Sequence, residues 1–95
     1  MLTRIVKLTF KTEHIPTFEK LFEEVKEKIE GFEGCQHLNL YQDQNNPQIF
    51  FTYSIWSEAA ALEKYRHSEL FQETWAKTKV LFDDKPTAWS LSQKY

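Results

Sequence analysis

The chain has 95 residues and a formal net charge of −2, with acidic and basic residues intermixed, so it offers no basic face for binding a nucleic acid. No stretch reaches the roughly 20 apolar residues of a membrane-spanning helix, and Cys35 has no second cysteine with which to form a disulfide. These features predict a single domain over residues 1–95 that works in the reducing cytoplasm without a membrane partner.

A strand and then a helix are predicted at the start of the chain. Pro16 suits the first turn of a helix, and apolar residues at helical spacing predict that this helix runs from about Ile15 to Glu30. Its charged face is interpreted as a solvated surface. Residues 2–11 alternate as a half-buried strand does, and the apolar side of that alternation is Val6, Leu8 and Phe10.

A β-hairpin is predicted in the middle of the chain. The only two glycines, Gly31 and Gly34, lie where the first helix must stop and the chain must reverse. Cys35–Asp43 alternates as a strand, Asp43–Pro47 is rich in turn residues, and Gln48–Trp56 is dense in β-branched and aromatic residues. Two such strands around a short turn predict a hairpin.

A broken helical region follows the hairpin. Ser57 is the predicted N-cap of a helix over Glu58–Arg66, and Ser68 is the predicted N-cap of a second helix from Glu69 to about Phe82. The helical region is therefore expected to kink near His67.

An alternating segment over residues 87–92 supplies a last strand, which completes the order β-α-β-β-α-β. That order predicts an α+β, ferredoxin-like fold, with an antiparallel four-stranded sheet and both helical regions on one face. The sheet residues expected to face the helices are Val6, Leu8, Leu38, Leu40, Phe51, Tyr53, Ile55, Trp89 and Leu91.

The opposite face of the sheet is predicted to be too aromatic to remain in water. Burial against a second copy would cover it, so we expect a homodimer with the sheets face to face. The residues assigned to this face are Ile5, Lys7, Thr9, His37, Asn39, Tyr41, Phe50, Thr52, Ser54 and Trp56.

Short motifs in the centre of the chain resemble those of a known family. The motifs are Gly34-Cys35, Asn46-Pro47, Ile55-Trp56-Ser57, Ala61-Leu62 and Ser68-Glu69-Leu70-Phe71. Their order and spacing, over nearly the whole chain, resemble those of the antibiotic biosynthesis monooxygenase superfamily of dimeric α+β barrels.

The resemblance implies two alternative functions. One is a cofactor-independent monooxygenase that acts on a small aromatic such as a quinol or phenol; the other is a non-catalytic dimeric module that binds a small apolar ligand or has only a structural role. A ligand would lie between the sheet and the helices, unless the same rings simply close over one another as a core. The residues implied to line that cavity are Phe22, Leu40, Phe51, Tyr53, Leu62, Tyr65, Phe71, Trp75 and Trp89.

The catalytic candidates are His67 and Tyr65. In the quinol-oxidising members of this superfamily, a histidine often stands at the position of Tyr65. Here His67 follows two residues later, and its neutral imidazole could accept a phenolic proton. In the haem-degrading members of the superfamily, an Asn, a Trp and the axial His stand at the positions of Val6, Tyr65 and Trp75. Because this chain lacks all three of those residues at these positions, the resemblance implies no haem, and no other cofactor is expected.

No metal site is predicted. Cys35 and His37 share a strand face, but no further Cys or His stands at ligand spacing. His14 is interpreted as a residue of the helix entry. Phosphate-binding loops and Ser-His-Asp arrangements are absent from the sequence.

Overall fold

A computed structural model describes residues 1–95. A short 3-10 turn, Thr12–His14, precedes the first helix. The elements in chain order are β1 (Leu2–Phe10), α1 (Ile15–Glu30), β2 (Cys35–Gln42), β3 (Ile49–Trp56), α2 (Ala59–Arg66), α3 (Glu69–Lys79) and β4 (Phe82–Leu91).

The four strands form one antiparallel sheet in the order β2-β3-β1-β4, and the three helices pack on one of its faces. The first and third strands of the chain are therefore neighbours in the centre, and the other two strands form the edges. This arrangement confirms the predicted α+β, ferredoxin-like fold. No helix is both long enough and apolar enough to cross a membrane.

The hairpin between β2 and β3 is closed by side chains of the turn. The Asp43 Oδ1 atom accepts hydrogen bonds from the backbone N–H groups of Asn45 and Asn46, at 2.7 and 3.0 Å. Such local bonds to a carboxylate fix a turn where the sheet ladder cannot supply partners. The predicted hairpin is confirmed.

Gly34 ends the connection between α1 and β2 with a backbone that other residues rarely adopt. Its φ is +88°, and a Cβ atom at this position would lie 2.4 Å from the Cβ atom of Ala61 in α2. Gly34 thus permits both a left-handed conformation and a close approach of the chain to α2.

The second helical region breaks where Ser68 was predicted to cap. The Ser68 Oγ atom accepts a hydrogen bond from the Phe71 N–H at 3.1 Å and donates one to the Tyr65 carbonyl at 2.6 Å. It therefore joins the end of α2 to the start of α3. The Ser57 cap was wrong, because Glu58 is the N-cap of α2 and makes no side-chain capping bond.

The last helix is shorter and the last strand longer than predicted. The α3 helix ends at Lys79, and Phe82 already pairs with Phe10 of β1 and packs on its ring at 5.3 Å. Pro86 does not stop β4, because an edge strand tolerates a residue that cannot donate to a ladder.

Two strands present the opposite face to the one predicted. The prediction that Phe51, Tyr53, Ile55, Trp89 and Leu91 face the helices is wrong. In β3 the helices are faced instead by Phe50, Thr52, Ser54 and Trp56, and in β4 by Pro86 and Ala88. The β1 and β2 assignments, Val6, Leu8, Leu38 and Leu40, are confirmed.

The sheet face turned away from the helices, here called the open face, is covered by no element of this chain. Tyr53 lies directly between Asn39 and Ile5, and Ile5 lies next to Trp89. The apolar and aromatic residues of the open face are Ile5, Tyr41, Phe51, Tyr53, Ile55, Trp89 and Leu91.

The three tryptophans occupy three different environments. Trp56 is buried in the core at 1% exposure, Trp75 lies half-buried on α3 among the helices, and Trp89 is 43% exposed on the open face.

Candidate ligand-binding site

A cavity of about 350 Å³ lies between the sheet and the three helices, a size within the range of small-molecule sites. The sheet residues that form its floor are Arg4, Val6, Leu8, Leu38, Thr52, Ser54, Trp56, Pro86 and Ala88. The helix residues that form its roof are Phe18, Leu21, Phe22, Val25, Ile29, Leu62, Tyr65, Arg66, Phe71, Thr74, Trp75 and Thr78.

Aromatic rings line one side of the cavity in a continuous series. Tyr65 stacks on Trp56 with ring centroids 5.1 Å apart and meets Phe71 edge to face at 5.3 Å. Phe71 in turn stacks on Trp75, with centroids 5.8 Å apart and planes only 10° from parallel. Rings in such offset arrangements present flat apolar surfaces, so a flat aromatic ligand is the natural complement.

Tyr65 supplies a hydrogen-bond donor to this apolar site. The residue is only 9% exposed, and its hydroxyl has no hydrogen-bond partner within the chain. Burial raises the pKa of Tyr65 well above the usual range, and the nearby thiol of Cys35 adds to that effect. The hydroxyl therefore remains protonated at physiological pH and can donate to an oxygen atom of a ligand.

Two further hydroxyl groups of the cavity are already paired. The Ser54 Oγ atom accepts a hydrogen bond from the Trp56 indole N–H at 3.0 Å, and the Thr78 hydroxyl donates to the Thr74 carbonyl at 2.7 Å. These bonds satisfy groups that would otherwise be costly to bury. The wall is thus largely apolar in effect despite its hydroxyl groups.

The predicted lining residues fall into two groups. Phe22, Leu62, Tyr65, Phe71 and Trp75 do line the cavity, since each lies on the face that its helix turns to the sheet. The residues that do not line it are Leu40, which faces the helices near the other end of the core, and Phe51, Tyr53 and Trp89, which lie on the open face.

His67 lies outside the cavity. It follows the last residue of α2, its side chain is 76% exposed, and its Nε2 atom is 3.1 Å from the Glu63 Oε1 atom. Its assignment as a base stays a prediction, to which this position gives no support. His37 packs edge to face on Tyr53 at 5.7 Å on the open face, and no three side chains of the types that bind metals converge anywhere.

Two charged residues of the cavity were not predicted from the sequence. Arg4 lies two residues before Val6 on the same strand face, and Arg66 lies four residues after Leu62 on the same helix face. Both residues would have been found by extending the strand alternation back from Val6 and the helical spacing forward from Leu62. A charge at the end of an apolar pattern is ordinarily assigned to solvent, which is why the pattern was ended too early.

The sequence model of the antibiotic biosynthesis monooxygenase family matches residues 1–77. No protein of curated function matches the sequence. Several solved structures share the fold. One described as an antibiotic biosynthesis monooxygenase has 24% identity, full coverage of both chains and a TM-score of 0.93.

Two further structures extend this comparison. A conserved protein from Methanosarcina mazei has 24% identity over 99% of this chain and 94% of its own, with a TM-score of 0.92. A protein from Mycobacterium tuberculosis has 14% identity over 99% and 95%, with a TM-score of 0.90. The fold of these structures is the same, and the family model covers most of the sequence; the chain therefore belongs to the antibiotic biosynthesis monooxygenase family.

Proposed function

We propose that the protein binds a small aromatic phenol or quinol in the cavity and oxidises it with O₂, without a cofactor. The observation that carries this proposal is the ring-lined cavity of about 350 Å³, in a chain of a family named for monooxygenases. The size of the cavity suits a molecule of one or two fused rings.

The proposed reaction converts a phenol and O₂ into a quinone and water. The substrate supplies the electrons, so it must first become electron-rich by losing its phenolic proton. No carboxylate, imidazole or amine lines the cavity, and the Tyr65 hydroxyl holds its own proton too firmly to act as a base. The proton would therefore leave to solvent, while Tyr65 donates a hydrogen bond that stabilises the substrate oxygen.

Oxygen uptake with a panel of hydroquinones and naphthols tests this function. Tyr65→Phe should lower kcat/KM by about 100-fold if its hydroxyl stabilises the reacting oxygen. Tyr53→Phe is the matched control, because this tyrosine lies on the open face, and it should leave turnover unchanged. No oxygen uptake by the wild-type protein with any member of the panel would refute the oxidation.

His67→Ala tests the remaining catalytic candidate. Because its imidazole lies outside the cavity, we expect unchanged turnover, and a pH profile that follows the pKa of the substrate rather than that of a histidine. A large loss of kcat would restore His67 as the base.

A non-catalytic binding module is the second candidate function. The absence of a base among the cavity residues favours it. Saturable binding of aromatic ligands without oxygen consumption would identify the protein as such a module.

We further propose that a second copy of the chain covers the open face. The apolar row across Tyr53, Ile5 and Trp89 supports a partner, because exposed apolar patches of this kind are usually interaction surfaces. Sedimentation should show a dimer, and Ile5→Lys, in the centre of the face, should give a folded monomer. Glu19→Lys, on the exposed side of α1, should remain dimeric.

A further inference from the structure

Both arginines of the chain line the same cavity, and every lysine lies outside it. Arg4 comes from the floor, on β1, and Arg66 from the roof, at the end of α2. The only formal charges in contact with this otherwise apolar space are therefore positive.

Arg4 has no carboxylate partner. Its Nη1 atom donates a hydrogen bond to the Ser90 hydroxyl at 2.8 Å, and none of the ion pairs of the structure includes it. Burial lowers the pKa of Arg4, the charge of Arg66 lowers it further, and Glu63 partly offsets both. The guanidinium nonetheless stays protonated, because arginine is not deprotonated in proteins. Arg4 is thus a half-buried cation with unused donors.

Arg66 is only partly neutralised. Its Nη1 atom is 3.5 Å from the Glu63 Oε2 atom, and Glu63 also contacts the His67 ring. Both side chains of the Arg66–Glu63 pair are about half exposed, so their attraction is weak. Arg4 is close enough to both Arg66 and Glu63 to feel their charges, so two guanidinium groups and one carboxylate leave a net positive charge in this part of the cavity.

We infer that Arg4 and Arg66 bind an anionic substituent, such as a carboxylate, carried by the aromatic ligand of the cavity. A planar carboxylate matches the fork of a guanidinium, while the rings of Tyr65 and Trp75 take the apolar body. The inference rests on the proposed function, because it assumes that the cavity is the ligand site. It narrows the substrate class to acidic aromatics.

Two probes of similar size, 2-naphthoate and the neutral 2-naphthalenemethanol, separate the contribution of the negative charge to the binding affinity from that of the aromatic body. Calorimetry at low salt should show naphthoate binding about tenfold more tightly, since a charge-assisted hydrogen bond contributes roughly that factor. Arg4→Met and Arg66→Met should each weaken naphthoate binding about tenfold and leave the neutral probe within about twofold.

Two controls locate the effect. Lys64→Met removes a cation from α2 outside the cavity and should change neither affinity. Leu62→Trp fills the cavity and should abolish binding of both probes, which shows that they do not bind on the open face.

The outcomes separate the two proposals. Equal affinities for the two probes would overturn the anion site and leave the ligand cavity intact, whereas binding of neither probe would overturn both. If Arg4→Met fails to fold, Arg66→Met and the loss of naphthoate affinity with added salt decide the question. A preference for naphthoate, together with no oxygen uptake from any hydroquinone or naphthol of the panel, would support the anion site and refute the oxidation alone.

Discussion

Replacing Gly34 by alanine should destabilise the protein through two separate effects. The φ of +88° places the residue in the left-handed region, and the added methyl group would lie 2.4 Å from the Ala61 Cβ and 3.0 Å from the Ser57 Oγ atom. The second contact can be relieved by rotation of a side chain. The first cannot, because the Ala61 Cβ atom is fixed by the backbone of α2.

The size of the effect follows from these two terms. A left-handed conformation costs a residue with a Cβ atom roughly 1–2 kcal/mol, and forcing a methyl group into a packed contact costs roughly 1–3 kcal/mol. We expect the free energy of unfolding to fall by about 3 kcal/mol, which for a domain of this size lowers Tm by more than about 10 °C.

Urea denaturation at one fixed protein concentration measures the change. Gly31→Ala is the matched control, because Gly31 has a φ of −80° and its added Cβ would approach the Glu27 carbonyl oxygen no closer than 3.3 Å. Because this contact is tight but involves no left-handed backbone, we expect the control to change the free energy of unfolding by less than about 1 kcal/mol.

The double variant Gly34→Ala with Ala61→Gly separates the backbone strain at residue 34 from its contact with the side chain of residue 61. Ala61→Gly alone should cost about 1 kcal/mol, as glycine does within a helix. Added to Gly34→Ala, it should instead recover about 1 kcal/mol, because it removes the close contact. The reasoning fails if Gly34→Ala is as stable as Gly31→Ala, or if the two changes are simply additive.

Three further variants test other contacts. Ser68→Ala should lower the free energy of unfolding by about 1 kcal/mol through loss of the α3 cap, measured in urea against Ser57→Ala, which removes no capping bond. Asp43→Ala should cost about 1–2 kcal/mol, because two backbone N–H groups of the turn lose their acceptor. Tyr65 has a raised pKa in the folded state, so its stabilisation is complete below about pH 10 and is lost as the pH rises further, by up to about 1.4 kcal/mol per pH unit. Tyr65→Phe should therefore be less sensitive to alkaline pH than the wild-type protein, and equal sensitivity would contradict the raised pKa.

The order of the elements could be predicted from the sequence because their periods are unambiguous. The α1 helix carries apolar and charged residues on opposite sides, and in β1 the apolar residues alternate clearly, with Leu8 and Phe10 on the buried face.

The prediction of which β3 face contacts the helices was wrong for a physical reason. Its more apolar alternation, Phe51 with Tyr53 and Ile55, lies on the open face, whereas the cavity face includes Thr52 and Ser54. The sequence prediction assumed that the more apolar face of a strand is the one buried against the helices. This assumption selects the wrong face when both faces of the strand carry large apolar residues.

The candidate site was predictable where it consists of helix residues. The resemblance implied that Leu62, Phe71 and Trp75 line the cavity, and all three do so because each lies on the side of its helix that faces the sheet. The positions of the two arginines also follow from spacing, but their role does not, because it depends on which side chains they fail to pair with. That Arg4 lacks a carboxylate partner is a property of the assembled fold and not of any local pattern.

The separation of the three tryptophans makes the protein its own fluorescent sensor. Trp56, buried against Tyr65 on the cavity floor, would report unfolding when no ligand is present; Trp75, on the helix side of the cavity, would report ligand occupancy; and Trp89, on the open face, would report burial by a second chain. Variants that retain one indole at a time, with phenylalanine at the other two positions, would let emission spectra follow folding, binding and association in three separate samples.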